Sequence, residues 1–176
     1  MSETMGTTER REAGRGDGWT GLVLGVTLLA VVLVTGLNFT FSAAVMPNLA
    51  DVDDQTFVTT LQRYNDNPVF PVTFTLALLL AIVAPLVLRR YGPPAAVRWS
   101  VVALVLVAVV FALTMIVNVP LNTEIDQLGD LGDAAAVTDV RDRFETQWVV
   151  SNAVRTVLSI AAVGALTQAL VLRKAR

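Results

Sequence analysis

Four long apolar stretches dominate this chain and limit what it can fold into. They run over about residues 19–45, 70–88, 97–121 and 148–172. Each is about as long as the ~20 apolar residues that a helix needs to cross ~30 Å of hydrocarbon. Backbone polar groups in hydrocarbon must be satisfied within the bundle, which favours helices over open strands. The sequence therefore predicts an all-α fold, an integral membrane bundle of four transmembrane helices.

The amino-acid composition limits the kinds of functional site that this chain can form. Charged residues make up 16% of the 176 residues, whereas a soluble domain carries about a quarter. Cysteine and histidine are both absent, which excludes disulfides, thiol catalysis and imidazole ligands for metals. We therefore expect no metal and no redox cofactor. The net charge of -2 offers no sign of a nucleic-acid partner.

The distribution of basic residues predicts the orientation, because cytoplasmic loops are enriched in Lys and Arg. One side of the bundle carries Arg10, Arg11, Arg15, Arg89, Arg90, Arg98, Arg173, Lys174 and Arg176. The two long loops hold only Arg63, Arg141 and Arg143 beside many acidic residues. We expect a protein of the plasma membrane with both termini cytoplasmic. Residues 1–18 read as a disordered tail, 19–172 as the membrane domain and 173–176 as a second tail.

The long outer loops predict two short amphipathic helices. In the first, Asp53 or Asp54 could cap a helix that has Phe57, Leu61 and Tyr64 on one face. In the second, the apolar spacing of Val137, Val140, Phe144 and Trp148 leads into the fourth span. These helices either cover the helix ends or form a lid over a site.

Polar residues form a stripe on each of three spans. At ~100° per residue, the members of a stripe fall on one helix face. The stripes are Thr35, Asn38 and Ser42 on span one, Thr114, Asn118 and Asn122 on span three, and Trp148, Asn152, Arg155 and Ser159 on span four. They reach similar depths in the outer half of the membrane. Because uncompensated polar groups are costly in hydrocarbon, the stripes predict a pocket that opens outward.

Arg155 is the most informative single residue. Placing an arginine in the middle of a span costs ~3 kcal/mol on insertion scales, so we expect a favourable interaction that offsets this cost. It could extend to the outer interface or donate to helix-end carbonyls. Alternatively it is a fixed cation for a carboxylate, a phenolate or a developing oxyanion. Nearby, Pro120 either perturbs the helix between Asn118 and Asn122 or simply ends span three.

Several short segments together resemble a known family. They are Asn38-Phe39 with Val45-Met46-Pro47, Gln62 with Asn65, the Asn-Val-Pro-Leu-Asn run at 118–122, and Trp148 with Asn152 and Arg155-Thr156. Over roughly residues 20–172 their order and spacing are similar to those of the anthrone-oxygenase-like membrane proteins. The resemblance implies a four-helix bundle. In members with a known activity it implies oxidation of polyketide anthrones to anthraquinones by O₂, without metal or flavin.

This resemblance, joined to the polar stripes, assigns candidate site residues. Arg155 would be the catalytic cation for an enolate oxygen. The substrate-binding residues would be Asn38, Asn118, Asn122, Asn152, Trp148 and Asn65. The general base stays open, with Tyr64, Glu145 and Glu124 as candidates from the outer loops. The predicted partners are the lipid bilayer and a lipophilic small molecule, and a homo-oligomer stays open.

Other functions fit the same pocket. A non-catalytic membrane protein could bind a lipid or a quinone-like molecule there, or serve as an accessory subunit. A transporter is less favoured, because proton-coupled carriers usually need an intramembrane carboxylate and no Asp or Glu falls in a predicted span. A purely structural role is the remaining alternative.

Overall fold

The computed structural model of this chain describes residues 2–128, 131 and 133–173, with side chains described from residue 18 onward. Every regular element in these ranges is helical. The elements are α1 (Ser2–Thr40), π1 (Phe41–Val45), α2 (Met46–Leu49), α3 (Asp54–Asn65), α4 (Val69–Tyr91), α5 (Pro94–Leu113), π2 (Thr114–Asn118), α6 (Val119–Gln127) and α7 (Ala134–Leu172). Two of these elements, π1 and π2, are single wide turns that join α1 to α2 and α5 to α6.

Four stretches are long and apolar enough to cross a membrane. They are Gly18–Leu49, Val69–Tyr91, Pro94–Gln127 and Ala134–Leu172. Helix α1 packs against α4 and α7, and α5 packs against the same two helices. The four spans thus close into a ring in the order α1, α4, α5, α7. The predicted all-α bundle of four transmembrane helices is confirmed, and the chain is a multi-pass membrane protein.

The bundle contains two apolar clusters. The first lies between the spans and is rich in buried alanines, which let helix backbones approach closely. These alanines are Ala30, Ala77, Ala81, Ala84, Ala96, Ala103, Ala162, Ala165 and Ala169. The second lies at the end of the bundle that carries α3 and is built from larger side chains, among them Phe41, Phe57, Ile125, Phe144 and Trp148. The candidate site described below lies between these clusters.

The helix ends in the structure differ by several residues from those predicted from the sequence. Span one continues past Val45 to Leu49, and span three continues past Leu121 to Gln127. The backbone is helical from Ser2, where the sequence predicts a disordered tail over residues 1–18. Residues 174–176 of the predicted C-terminal tail lie outside the described residues.

The first predicted amphipathic helix is α3, whereas the second is part of a longer helix. Asp53 caps α3 by accepting a hydrogen bond from the Thr56 backbone N–H at 2.9 Å. The segment around Val137 and Phe144 is the beginning of α7, so the prediction of a separate short helix there is wrong. No Pro or Gly stands between Ala134 and Val163, and the helix runs without interruption into the fourth span.

Both π segments precede a proline. Pro47 lies two residues after the end of π1, and Pro120 lies two residues after the end of π2. A proline ring collides with the carbonyl four residues earlier, which falls inside the π segment in each case. Widening the turn relieves this collision without ending the helix. The alternative in which Pro120 ends span three is therefore excluded. The two wide turns lie beside the polar stripes, and π segments occur frequently at functional sites.

Candidate functional site

A cavity of about 300 Å³ lies in the half of the bundle that is next to α3. Its walls come from α1, α3, α4, α7 and the continuous α5–π2–α6 helix. All seven residues that the sequence singles out line this one cavity. They are Arg155, Asn38, Asn118, Asn122, Asn152, Trp148 and Asn65. The structure thus brings them together, and their roles in binding or catalysis stay predictions.

Arg155 projects into the bundle from α7 and is 4% exposed. Its Nη1 donates to Thr114 Oγ1 at 3.0 Å and its Nη2 donates to Asn152 Oδ1 at 2.8 Å. The guanidinium carbon lies 5.8 Å from the centre of the Phe74 ring and 5.7 Å from that of Trp148. This inward position does not agree with the alternative in which Arg155 extends to the membrane surface.

The guanidinium of Arg155 lacks a counter-charge among the side chains that the structure describes. No carboxylate among the described side chains lies within ion-pair distance of it. Among the same residues, Arg155 Nε and Asn118 Nδ2 are buried without a hydrogen-bond partner. A buried unsatisfied donor costs about 1–3 kcal/mol, and both of these atoms belong to residues that line the cavity.

Asn152 is held by a network that determines its orientation. Its Oδ1 accepts from Arg155, so its Nδ2 faces α1, where it donates to the Asn38 carbonyl at 2.9 Å and to Ser42 Oγ at 2.8 Å. Thr156 Oγ1 donates to the Asn152 carbonyl at 2.8 Å and lies 3.3 Å from Ser42 Oγ. The network ties α7 to the junction of α1 and π1, and it aims Arg155 rather than leaving it free to rotate.

Asn38 and Asn118, the other two asparagines of the bundle interior, each have one side-chain amide atom in a hydrogen bond. Asn38 Nδ2 donates to Ser159 Oγ at 3.4 Å. Asn118 Oδ1 accepts from Ser151 Oγ at 2.8 Å, which leaves Nδ2 as the group without a partner. Asn118 is the last residue of π2, so the wide turn before Pro120 sets the direction in which this amide projects.

Aromatic rings form the walls of the cavity. The Phe41 ring contacts Tyr64, Phe70 and Trp148 at centroid distances of 5.1, 5.6 and 5.4 Å. Phe74 and Phe111 line the deeper part near Arg155. Such walls suit the faces and edges of a planar aromatic molecule. The cavity thus combines aromatic walls with one cation and several polar side chains.

The rim of the cavity beside α3 is polar and holds this helix in place. Trp148 Nε1 donates to Asn122 Oδ1 at 2.9 Å. Asn65 Nδ2 donates to Asp126 Oδ1 at 2.9 Å and to the Asn122 carbonyl at 3.3 Å. Gln62 Nε2 donates to the Ile125 carbonyl at 3.0 Å. The amide of Asn65 is thus occupied by contacts that join α3 to α6.

The candidates for a general base separate clearly. Tyr64 and Asp126 both line the cavity. Asp126 was not among the candidates predicted from the sequence, because the sequence predicts a loop where the structure has α6. Glu145 accepts from Arg141 Nε at 3.1 Å, and Glu124 lies 3.9 Å from Arg143. Neither glutamate lines the cavity. Asp126 is the one carboxylate in the lining among the described residues, and Asp126 and Tyr64 stand as the two candidates.

The burial of Arg141 was also not predicted, because the sequence places this arginine in one of the two long loops. Its Nη1 donates to the Val52 carbonyl and to Asp54, and its Nη2 donates to the carbonyls of Leu49 and Ala50. These carbonyls follow the last turn of span one, where helix carbonyls lack partners. Arg141 therefore caps span one and joins it to α3 and α7. Its position on the Val137–Phe144 face was the only sequence sign of burial.

Asp54 completes this cap from α3. It accepts from Thr138 and from Arg141 Nη1. The Thr138 hydroxyl, and after it the Arg141 guanidinium, hold the pKa of Asp54 below its usual value. The carboxylate therefore stays ionised, and the contact between α3 and α7 persists, to lower pH than for a free aspartate.

The described residues contain no group of three or more acidic side chains close enough to hold a metal ion. The polar atoms of the cavity are mainly amides, hydroxyls and one guanidinium. This set of donors and acceptors is suited to hydrogen-bonding an organic molecule. The absence of cofactors stays a prediction from composition.

Comparison with known proteins identifies the family. The family model described as anthrone oxygenase matches residues 57–165, which is more than half of the chain. The match includes the segments with Asn65, Asn118 and Arg155, whereas Asn38-Phe39 and Val45-Met46-Pro47 lie before it. It is thus narrower than the resemblance over residues 20–172. No curated protein and no solved structure matches this chain. The chain belongs to the anthrone oxygenase family.

Proposed function

We propose that this protein is a membrane oxygenase that oxidises an anthrone-like or other lipophilic aromatic substrate with O₂ and without a cofactor. One observation carries the proposal. Arg155 is buried without a carboxylate partner among the described residues, it lines an aromatic-walled cavity together with Asn118, and each of the two residues has one buried side-chain nitrogen without a hydrogen-bond partner. Such a cavity complements a planar molecule on whose oxygen negative charge develops.

The reaction needs no external electron donor. Loss of a proton from the anthrone methylene gives an enolate, whose charge lies largely on the oxygen. The enolate passes one electron to O₂, and the resulting superoxide and carbon radical combine to a peroxide that takes up a proton. Loss of water from this hydroperoxide then converts the former methylene carbon into a ketone. One oxygen atom enters the product and the other leaves as water, so electrons and atoms balance.

Each part of the site has a role in this sequence. Arg155 and Asn118 would bind the enolate oxygen and lower the energy of the anion that reacts with O₂. Asn152, itself fixed by Ser42 and the Asn38 carbonyl, positions Arg155 before the substrate arrives. The aromatic walls hold the rings in one plane and exclude water. Tyr64 or Asp126 at the rim would accept the methylene proton.

Oxygen uptake tests this function. We expect the protein in nanodiscs to consume O₂ and form anthraquinone from anthrone in equal molar amounts, without release of hydrogen peroxide. The Arg155→Leu variant in identical nanodiscs serves as the control for the spontaneous oxidation of anthrone. Equal rates for the parent and the variant would exclude the proposed role of the site.

A non-catalytic function is the second candidate. The carboxylate of Asp126 is engaged by Asn65 at the rim, and no carboxylate adjoins Arg155 among the described side chains. A site without an effective base would bind a quinone-like molecule or a lipid and leave it unchanged. In that case mass spectrometry of the purified protein should find a bound lipophilic molecule, and anthrone should bind without O₂ uptake.

The proposed location is the plasma membrane, with the N- and C-termini in the cytoplasm and the cavity near the outer surface. The excess of basic residues around Arg90 and at the two termini supports this orientation. We expect reporter fusions after Arg90 and after Arg176 to be active only as cytoplasmic reporters. A fusion after Asn65, in α3, should report the opposite side. An external signal from the Arg90 fusion would reverse the orientation.

A further inference from the structure

The cavity has a mouth between two membrane-spanning helices. On α4, Pro71 and Thr75 both line the cavity and are exposed on the bundle surface. On the facing π2–α6 segment, Met115 and Val119 do the same, with 45% and 42% of their surface exposed. Spacings of four residues place each pair along one helix edge. The two edges therefore flank an opening in the side of the bundle.

The packing of the helices explains why this side is open. Helix α4 packs on α1 and on α5, whereas π2 packs on α5, α6 and α7. The wide turn of π2 and the continuation into α6 thus follow α7 rather than α4. The mouth lies within the spans Val69–Tyr91 and Pro94–Gln127. Its flanking exposed neighbours, Leu76 and Ile116, are 49% and 74% exposed apolar residues, which suits contact with lipid chains.

Helix α3 covers part of the end of the cavity that faces the outer solution, where Tyr64, Thr123 and Asp126 line the cavity and are exposed. The helix buries Phe57, Val58 and Leu61. Gln62 and Asn65 bind α3 to α6, and Asp54 binds it to α7 through Thr138 and Arg141. Moving α3 aside would break contacts at both of its ends. Leaving through the mouth between α4 and π2 breaks none of them.

Building on the proposed function, we propose that the aromatic ligand enters this site sideways from the outer leaflet, through the mouth between Pro71–Thr75 and Met115–Val119. The ligand class is therefore a planar aromatic molecule that dissolves in the bilayer and carries one acceptor oxygen. The oxygen enters first and reaches Arg155 and Asn118, while the rings slide between Phe70 and Phe74. Helix α3 is a fixed partial cover and takes no part in entry.

Narrowing the mouth tests the route. The double variant Thr75→Phe/Met115→Phe places two large rings on the two edges. The matched control Leu76→Phe/Ile116→Phe adds the same rings one residue away, on the lipid-facing surface. A third variant, Gln62→Ala, removes a contact that holds α3 and lies outside the cavity lining. Equal unfolding midpoints of the four proteins would show that each variant folds.

Binding is followed through Trp148, which lines the cavity. The background Trp19→Phe/Trp99→Phe makes it the only tryptophan, because the chain contains Trp 3 times. Anthrone in the same nanodiscs, under nitrogen, quenches Trp148 when bound, and a temperature jump gives the relaxation rate. We expect the mouth variant to relax about tenfold more slowly. The control pair and Gln62→Ala should relax at the rate of the parent.

The outcomes separate the route from the function. An unchanged rate in the mouth variant, or faster relaxation in Gln62→Ala, would overturn entry from the bilayer while leaving the site intact. Absence of quenching in the parent would show that anthrone does not bind, and both the route and the proposed function would fall. Slower relaxation of the mouth variant alone supports entry from the outer leaflet, whether or not anthrone is oxidised in air.

Discussion

Arg155→Leu should reduce anthrone oxidation by about 10²–10³-fold, the loss seen when one oxyanion donor is removed. Leucine fills much of the same space but cannot stabilise an enolate. Two donors, Nη1 to Thr114 and Nη2 to Asn152, disappear together with the charge. The effect should appear in kcat/KM for O₂ uptake with anthrone and in the anaerobic quenching of Trp148.

For Arg155→Leu, an effect on folding can be separated from an effect of the lost charge on activity. A buried cation that has no carboxylate partner among the described residues is costly, so Arg155→Leu should unfold at the same temperature as the parent or higher. Arg155→Lys should recover only part of the activity, because an ammonium lacks the planar fork that spans Thr114 and Asn152. Full activity in the leucine variant would mean that Arg155 is structural and that the oxygenase proposal lacks its main support.

Arg141→Met should lower the free energy of unfolding by about 1–3 kcal/mol, as expected when a buried carbonyl loses its hydrogen-bond donor. The guanidinium donates to three carbonyls at the end of span one and to Asp54, and it lies 4.5 Å from the centre of the Phe57 ring. Methionine keeps much of the apolar stem and loses every one of these hydrogen bonds. Equilibrium unfolding in mixed micelles measures the difference.

Arg143→Met is the matched control on the same helix. Arg143 is largely exposed and pairs with Asp139 at 3.2 Å on the surface. Exposed ion pairs contribute about 0–1 kcal/mol, so this variant should unfold close to the parent. Similar losses for Arg141→Met and Arg143→Met would show that the cap on span one contributes little. The Arg141 variant should still bind anthrone once folded, because Arg141 does not line the cavity.

Local helix geometry explains how much of the site could be predicted. The angle between Asn152 and Arg155 on α7, and their depth in the span, follow from one helix alone. Apolar length sets the number of spans in the same way. Three polar stripes at one depth then have few arrangements that avoid lipid. For this reason the predicted site residues all lie on one cavity, even though no contact between helices was known.

Contacts between distant segments could not be predicted. Asp126 lines the cavity because π2 widens before Pro120 and the helix continues, whereas a proline at that position could equally end it. Arg141 is buried because the carbonyls of Leu49 and Ala50 end beside it, and their position depends on the packing of α1 against α7. A sequence pattern on one helix carries no information about such a partner.

The sequence by itself determined the membrane bundle, the family and the residues that face its interior, because apolar length and helical period act within each span. Only the tertiary structure decided which of those residues meet. It paired Asn152 with Arg155 and Asn38, left Arg155 Nε and Asn118 Nδ2 without partners among the described residues, and brought residues of α4 and π2 to the same cavity. These features depend on how neighbouring helices pack, and that packing is set by side chains far apart in the chain.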